Sequence, residues 1–343
     1  MRIFTFEIIL LVVTSCASQV PVNIELLYQA RQFDKVVEEG KKKLKAKPND
    51  IIANHLVGRA LADIKKFEEA EQFLKKAITE ASPNYVNSWS YAYLGLCNYL
   101  NDKYDESKIN LEQAIKLNAT KNSTNFAKRR LQWFQMTEYF DNWEIVETEH
   151  LRFHFQPNYK IESIEKYCEI RENAYIQNNE FFKATPFKKI DYFIWCEPEG
   201  AKEIVGKELG FANSDLCIIN SKLNQTIGHE ITHILSEYGV RPILKNRLVN
   251  EGVSVAFDLT NRNRIELAKS VNIKNFTIKE LIEQADNLPD SILYPIGGAL
   301  IEHLKLEKDD IKLKKLIKEQ SWQNLIKLYG IEKIEKFEEL IEN

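Results

Sequence analysis

The chain has 343 residues, with 47 lysines and arginines against 50 aspartates and glutamates, and 44% of its residues are hydrophobic. This apolar content is enough for folded domains and excludes a mainly disordered chain, while the length suggests two domains. The near balance of charge lacks the strong basic excess that is typical of nucleic-acid binders, so we expect no nucleic-acid partner.

The first segment has the layout of an export signal. Its apolar stretch, Ile3–Val13, is too short to span a bilayer. It ends in Val13–Cys16 (VTSC), which resembles a bacterial lipobox, where the cysteine is lipidated and becomes the new N-terminus. The resemblance implies a signal peptide at 1–15, an anchor and linker at 16–23, and attachment to a membrane of the bacterial cell envelope through Cys16. The alternative is a buried strand or helix that happens to contain a cysteine.

Residues 24–140 are predicted to be helical and contain a repeat. Five positions recur at an interval of 37 residues. The first set is Gly58, Phe67, Ala70, Leu74 and Ala77, and the second is Gly95, Tyr104, Ser107, Leu111 and Ala114. The pattern resembles tetratricopeptide repeats, which are helix–turn–helix units with a nominal period of 34 residues. The resemblance implies an all-α solenoid with a surface for a protein partner, and the alternative is a generic helical bundle.

The pattern changes near residue 143. Short alternating runs rich in aromatic and β-branched residues predict strands at Trp143–Thr148, Leu151–Phe155, Lys189–Cys196 and Leu216–Asn220. Helical patterns dominate after the last of these strands. Strands followed by helices predict a small mixed sheet plus helices over 141–343, and the whole chain is therefore predicted to be α+β.

A candidate metal site lies in the segment His-Glu-Ile-Thr-His. His229 and His233 are four residues apart in a segment whose apolar spacing predicts a helix, so both imidazoles can reach one ion. Glu230 then lies beside the ion, where it can accept a proton from a water. Glu251 follows His233 by 18 residues and offers a third ligand. Two histidines, a carboxylate and a water form the donor set of a catalytic zinc site.

Three further residues are candidates for supporting roles. We expect Glu251 to open a helix over 251–259, which would place Asp258 on the same side as a hydrogen-bond acceptor for a ligating imidazole. The alternative for Asp258 is a solvated surface position. Tyr238 and Tyr294 are candidate donors to the oxyanion formed during hydrolysis, and either could instead pack as an aromatic wall of the cleft. The other histidines are interpreted as structural: His55, His150, His154 and His303.

Residues 225–259 resemble the zinc-binding core of the gluzincin metallopeptidases, the clan of thermolysin-like enzymes and zinc aminopeptidases. Asn250–Gly252 resembles the aminopeptidase branch, and the runs at 294–304 and 328–333 resemble uncharacterised members of the clan. The Gly-rich motif that captures a substrate's amino terminus is not recognisable, which favours an endopeptidase or another specificity. The resemblance implies Zn²⁺, a peptide or protein substrate, and a substrate-pairing edge strand at Phe211–Asn220.

The sequence thus predicts a membrane-anchored zinc peptidase in which Glu230 is the general base for a zinc-activated water. One alternative is a non-catalytic repeat scaffold whose peptidase domain has lost turnover. The intact motif argues against that alternative, because a relict would be free to lose Glu230. Another alternative is zinc-dependent hydrolysis of a non-peptide substrate.

Overall fold

The structure, a computed structural model, describes residues 23–197, 199–271 and 276–342. The signal predicted at 1–15 and the lipidation site at Cys16 lie outside the described residues. Within these ranges the chain forms 17 α-helices and one mixed sheet of five strands, so the fold is α+β. None of the helices in the described ranges has both the length and the apolar composition needed to cross a bilayer.

The chain divides into two compact units. One comprises Met1–Asn98 and Ile109–Ala127, and the other comprises Tyr99–Lys108 and Lys128–Asn343. The first seven helices are α1 (Ile24–Gln29), α2 (Phe33–Ala46), α3 (Ile51–Asp63), α4 (Phe67–Ala77), α5 (Asn84–Leu100), α6 (Tyr104–Leu117) and α7 (Lys121–Trp133).

The sheet belongs to the second unit, and its middle strands are parallel. Its strands are β1 (Glu144–Glu147), β2 (Leu151–Phe155), β3 (Ile190–Trp195), β4 (Phe211–Asn213) and β5 (Ile218–Lys222), in the order β1-β2-β3-β5-β4. β2, β3 and β5 are parallel, while the edge strands β1 and β4 are antiparallel to their neighbours. Every residue of the central strand β3 is buried, as expected for a strand covered on both faces.

The edge strand expected at Phe211–Asn220 is instead a hairpin. A turn separates β4 from β5, with Leu216 donating its backbone N–H to the Asn213 carbonyl and Cys217 at a φ of 52°. Phe211 and Asn220 lie opposite each other across the hairpin. The turn therefore places only the short β4 at the edge of the sheet and brings β5 inside it.

Among the residues that the structure describes, ten further helices belong to the second unit. They are α8 (Ile164–Phe182), α9 (Ala201–Val205), α10 (His229–Gly239), α11 (Arg247–Ala256), α12 (Arg264–Lys269), α13 (Ile278–Glu283), α14 (Asp290–Lys305), α15 (Asp310–Lys318), α16 (Trp322–Tyr329) and α17 (Ile331–Glu342). α8 makes the long connection that parallel strands β2 and β3 require.

Helix α11 begins earlier than the expected start at Glu251. The side chain of Asn246 accepts hydrogen bonds from the backbone N–H groups of Leu248 and Val249 and caps the helix. The helix therefore begins at Arg247, four residues before Glu251. Glu251 therefore lies inside the helix, where its side-chain direction is fixed by the helical backbone.

A buried charge cluster lies on β3. Asp191 is 1% exposed and accepts hydrogen bonds from the Tyr99 hydroxyl (2.6 Å), Lys188 Nζ (2.6 Å) and His154 Nε2 (2.8 Å). Burial disfavours the charged carboxylate, but the Lys188 ammonium outweighs it and holds the pKa of Asp191 well below its usual range. The Lys188 side chain is itself fully buried, so each charge depends on the other.

Asp191→Asn should destabilise the protein by about 3–5 kcal/mol at pH 7, because it leaves Lys188 as an uncompensated buried charge. Urea unfolding would measure this loss, with the exposed Asp286→Asn as a control that should change little. The lowered pKa means that the stabilisation is present above the usual aspartate pKa of about 3.9 and is lost as the pH falls below it. The gap between wild type and Asp191→Asn should therefore narrow below about pH 4, and a gap independent of pH would contradict the assignment.

Candidate metal centre

Helix α10 presents the two histidines of the predicted metal site. It begins at His229, directly after Gly228, whose φ of 90° favours glycine. Thr232 ties the first turn together, because its hydroxyl donates to the Gly228 carbonyl (2.8 Å) and accepts from the Asn178 amide (2.9 Å). The following turn carries His233, so both imidazoles lie on one helix face.

Glu251 faces both histidines across the gap between α10 and α11. Its Oε2 atom lies 3.3 Å from His229 Nε2 and 3.3 Å from His233 Nε2. Potential ligand atoms of the three residues lie within 4.8 Å of one another, so these residues could hold a metal ion. Burial opposes ionisation of Glu251, but its hydrogen bonds to the histidines outweigh burial and keep its pKa well below the usual value.

The far side of the His233 ring is held by a residue that the sequence did not single out. Ser254 Oγ lies 3.1 Å from His233 Nδ1, and Asn250 Nδ2 lies 3.3 Å from the same atom. If Nδ1 carries the ring proton and donates to Ser254, the Nε2 lone pair is left free for an ion. Ser254 follows Glu251 by three residues, and this helical spacing is the signal that could have identified it.

Asp258 does not perform the role expected for it. Its carboxylate accepts hydrogen bonds from Arg264 (2.7 Å) and from the Thr260 backbone N–H (3.0 Å). Asp258 lies beyond the end of α11, so the two-turn helical spacing from Glu251 that motivated the expectation does not apply. Its contacts are instead with residues that follow the C-terminus of α11, namely Thr260 and Arg264.

Glu230 lines the same cavity as the three potential ligands. The cavity has a volume of about 220 Å³, and Tyr294 also lines it. Glu230 is 3% exposed, and burial raises the pKa of its carboxyl despite the neighbouring histidines. A raised pKa brings a carboxylate closer to the range in which a general base works at neutral pH.

The two tyrosines differ in what their hydroxyls contact. Tyr238 donates to the Ser214 carbonyl (2.9 Å) and does not line the cavity of Glu230, so it does not serve as the expected oxyanion donor. The Tyr294 ring packs 5.5 Å from the His229 ring, measured between centroids. Its hydroxyl has no hydrogen-bond partner among the described residues, and burial raises its pKa, so it stays protonated and can donate.

The edge strand β4 forms another wall of the cavity. Phe211 and Ala212 of this strand line it, together with Gly210 and Ser214 on either side. β4 pairs only with β5 among the described strands, so it forms an edge of the sheet. Lys245 and Glu237 also line the cavity, and Lys245 Nζ lies 2.7 Å from Glu237 Oε2.

The helix that carries Glu251 packs unusually close to α14. A Cβ atom added to Gly297 would lie 2.5 Å from the Leu248 carbonyl oxygen, and one added to Gly252 would lie 2.5 Å from the Gly297 carbonyl carbon. Only glycine fits at this crossing, because backbone rather than a flexible side chain fills the space.

Gly297→Ala should destabilise the metal-free protein by about 1–3 kcal/mol, because the added methyl group forces α11 and α14 apart. It should also weaken metal binding, since α11 carries Glu251. Urea unfolding in the presence of a chelator and metal titration would measure the two effects. Ser291→Ala, an exposed change on α14, is the control, and equal behaviour of the two variants would show that the close approach is unimportant.

The remaining histidines lie away from this cavity. His55 bonds to Ser90 (2.8 Å), and His303 packs against Phe337, as expected for structural residues.

His150 differs from the expectation, because it has carboxylate neighbours: Glu149, His150 and Glu172 form a second group with potential ligand atoms within 4.8 Å. Glu149 is 81% exposed, and Glu172 is already bonded to the Thr148 hydroxyl. Sequence spacing could not reveal this group, since Glu172 lies on a separate helix.

No known family model matches the chain, and no curated protein matches it in sequence.

Proposed function

We propose that this chain is a zinc-dependent peptidase of the gluzincin type. The observation that carries the proposal is the convergence of His229, His233 and Glu251 on one cavity that Glu230 also lines. Two imidazole nitrogens and one carboxylate form the donor set of catalytic zinc sites, which keep a fourth position open for water or substrate. The two imidazoles and the ionised Glu251 carboxylate therefore match the donor chemistry of this ion.

Zinc, when bound, would supply Lewis-acid chemistry, lowering the pKa of a water and polarising the scissile carbonyl. Glu230 would accept the proton of the attacking water and deliver it to the amine that leaves. Its burial supports this role, because burial raises the pKa of the carboxyl and so makes the carboxylate a stronger proton acceptor. Tyr294 would donate its hydroxyl to the oxyanion that develops on the carbonyl oxygen.

The open edge of β4 supports a peptide as the substrate. An extended peptide could add to this edge through backbone hydrogen bonds, which would lay its backbone along the wall of the cavity that holds Glu230. Such binding uses the backbone and requires no free amino terminus, which favours an endopeptidase.

We further propose that the first helices are tetratricopeptide-like repeats with a surface for a protein partner. Six of the ten recurring positions are fully buried, which supports the repeat: Ala70, Leu74, Ala77, Ser107, Leu111 and Ala114 each have 0% exposure. A Cβ atom on Gly58 would meet the Leu74 side chain at 2.7 Å, so α3 and α4 are in close contact at this position.

We also propose export and lipid anchoring in the bacterial cell envelope. Cys16→Ser should yield an unprocessed protein that carries no lipid, because the acylated side chain is removed. Metabolic labelling with a fatty acid and membrane fractionation would measure the change, with Ser18→Ala as the control. A lipid-labelled, processed Cys16→Ser protein would show that the anchor is assigned to the wrong residue.

Metal analysis and peptide cleavage test the peptidase proposal together. The purified protein should contain one zinc ion per chain and cleave peptides from a broad library. A chelator should abolish cleavage, and added zinc should restore it. A protein that lacks zinc, or that cleaves equally well in the presence of the chelator, would contradict the proposal.

A further inference from the structure

A second cavity adjoins the metal centre. It has a volume of about 190 Å³ and shares two wall residues, His229 and Tyr294, with the cavity of Glu230. An engineered cavity of about 150 Å³ is large enough for benzene, so this space can receive an amino-acid side chain. Because His229 and Tyr294 line both cavities, a side chain in the second one would belong to a substrate residue close to the candidate metal centre.

The walls of the second cavity are partly apolar, and its charge is positive. Val255, Leu267 and Pro295 provide apolar surface that suits the aliphatic part of a side chain. Two arginines, Arg262 and Arg264, contribute the positive charges.

Only one of these two arginines is available for a ligand. The Arg264 side chain is 7% exposed and forms ion pairs with Asp258 at 2.7 Å and with Glu302, which does not line the cavity, at 3.7 Å. It also donates to the Val255 carbonyl at the end of α11. Arg262 is exposed, and no carboxylate in the described ranges lies within ion-pair distance of it. Because the negative charge of Asp258 balances the positive charge of Arg264, the net positive charge of the cavity walls comes from Arg262.

We propose that this second cavity binds the substrate side chain next to the cleaved bond, and that Arg262 makes glutamate or aspartate the preferred residue there. The position of this residue next to a cleaved bond rests on the proposed peptidase function. The preference for an acidic side chain follows from the cavity and its charge alone. A carboxylate at the end of a short aliphatic chain matches apolar walls with one unpaired guanidinium. A lysine side chain would instead meet Arg262 as a like charge, and it is disfavoured.

Blocked pentapeptides test the preference. Each has two alanines on either side of one variable residue, which is Glu, Gln or Lys, and blocked ends remove the terminal charges. Cleavage is measured as kcat/KM for wild type, Arg262→Ala, Arg262→Glu and the control Arg129→Glu, which makes the same charge change at an exposed residue that does not line either cavity. Binding of the same peptides is measured by calorimetry with zinc-loaded Glu230→Gln, alone and combined with each Arg262 change.

Wild type should favour the Glu peptide over the Gln peptide by about tenfold, between the weak effect of an exposed ion pair and that of a desolvated charged hydrogen bond. Arg262→Ala should remove the preference, Arg262→Glu should reverse it in favour of Lys, and Arg129→Glu should behave like wild type. Equal use of the Glu and Lys peptides by wild type, or an unchanged order in Arg262→Glu, would overturn the inference.

The two measurements separate this inference from the peptidase proposal. Cleavage without an acidic preference would leave the peptidase proposal standing and overturn the role of Arg262. Binding with an acidic preference that Arg262→Glu reverses, but with no cleavage by wild type, would support the cavity assignment and contradict the peptidase proposal. Neither cleavage nor binding would overturn both.

Discussion

Replacing Glu230 with glutamine should lower the rate of peptide hydrolysis by about 10²–10⁴-fold while the protein keeps its metal. The substitution preserves the shape of the side chain and leaves the three potential ligands in place. It removes the proton acceptor, and losing a positioned general base typically has an effect of this size. The measurement is kcat/KM on a cleaved peptide, together with zinc content and the thermal unfolding midpoint of both proteins.

The thermal midpoint is an informative part of this test. Glu230 is buried and its pKa is raised by burial, so a neutral amide at this position should not destabilise the fold strongly. Equal cleavage by wild type and Glu230→Gln would show that any activity comes from another mechanism or a contaminant. A zinc-bound wild type that cleaves nothing across a broad library would favour the alternative of a scaffold with a relict peptidase domain.

The sequence was sufficient to predict which residues meet at the candidate metal centre. The i, i+4 spacing of His229 and His233 requires only one turn of helix, so local geometry brings the imidazoles together. Glu251 is predicted as the third ligand from its position 18 residues after His233, and the structure places its carboxylate 3.3 Å from both rings. The α+β class followed from the change in periodicity near residue 143, which is also a local property.

Contacts between helices could not be predicted in the same way. The expected hydrogen bond from a ligating imidazole to Asp258 assumes that helix α11 continues past Ala256, where it in fact ends. The Asp258 carboxylate accepts a hydrogen bond from Arg264. The close approach of Gly252 and Gly297 depends on how two helices cross, and a glycine pair 45 residues apart carries no periodic signal. The hairpin at β4 depends on a turn whose Cys217 has a positive φ, a conformation that the residue type does not suggest.

The two tyrosines show the same division between local and long-range information. Tyr238 and Tyr294 were equal candidates by residue type, since either hydroxyl could donate to an oxyanion. The structure distinguishes them by a hydrogen bond between Tyr238 and the Ser214 carbonyl, which lies in the turn after β4. This partner lies 24 residues away in the chain and is determined by tertiary packing, so the spacing of residues in the sequence could not predict it.

Replacing His233 with alanine should lower zinc affinity and peptidase activity together, each by more than about 100-fold. Loss of a group that only orients a metal ligand typically lowers affinity by about 10–100-fold, and loss of the ligand itself should exceed that. Ser254→Ala, which removes the hydroxyl 3.1 Å from His233 Nδ1, should fall in the smaller range. The two variants thus form a graded series, measured by zinc titration against a competing chelator and by kcat/KM.

The pH dependence of the titration follows from the charges at the site. Burial disfavours the charged form of His233, but the Glu251 carboxylate outweighs it and raises the pKa of the imidazole in the metal-free protein. Protons therefore compete with zinc for this nitrogen, and wild-type zinc affinity should fall as the pH falls through and below neutrality.

His150→Ala serves as the matched control for His233→Ala, because His150 belongs to the other group with metal-ligand spacing in the described ranges. If His233→Ala bound zinc as tightly as wild type and His150→Ala bound none, the metal would have to be assigned to the second group. Glu230 would then have no role in catalysis.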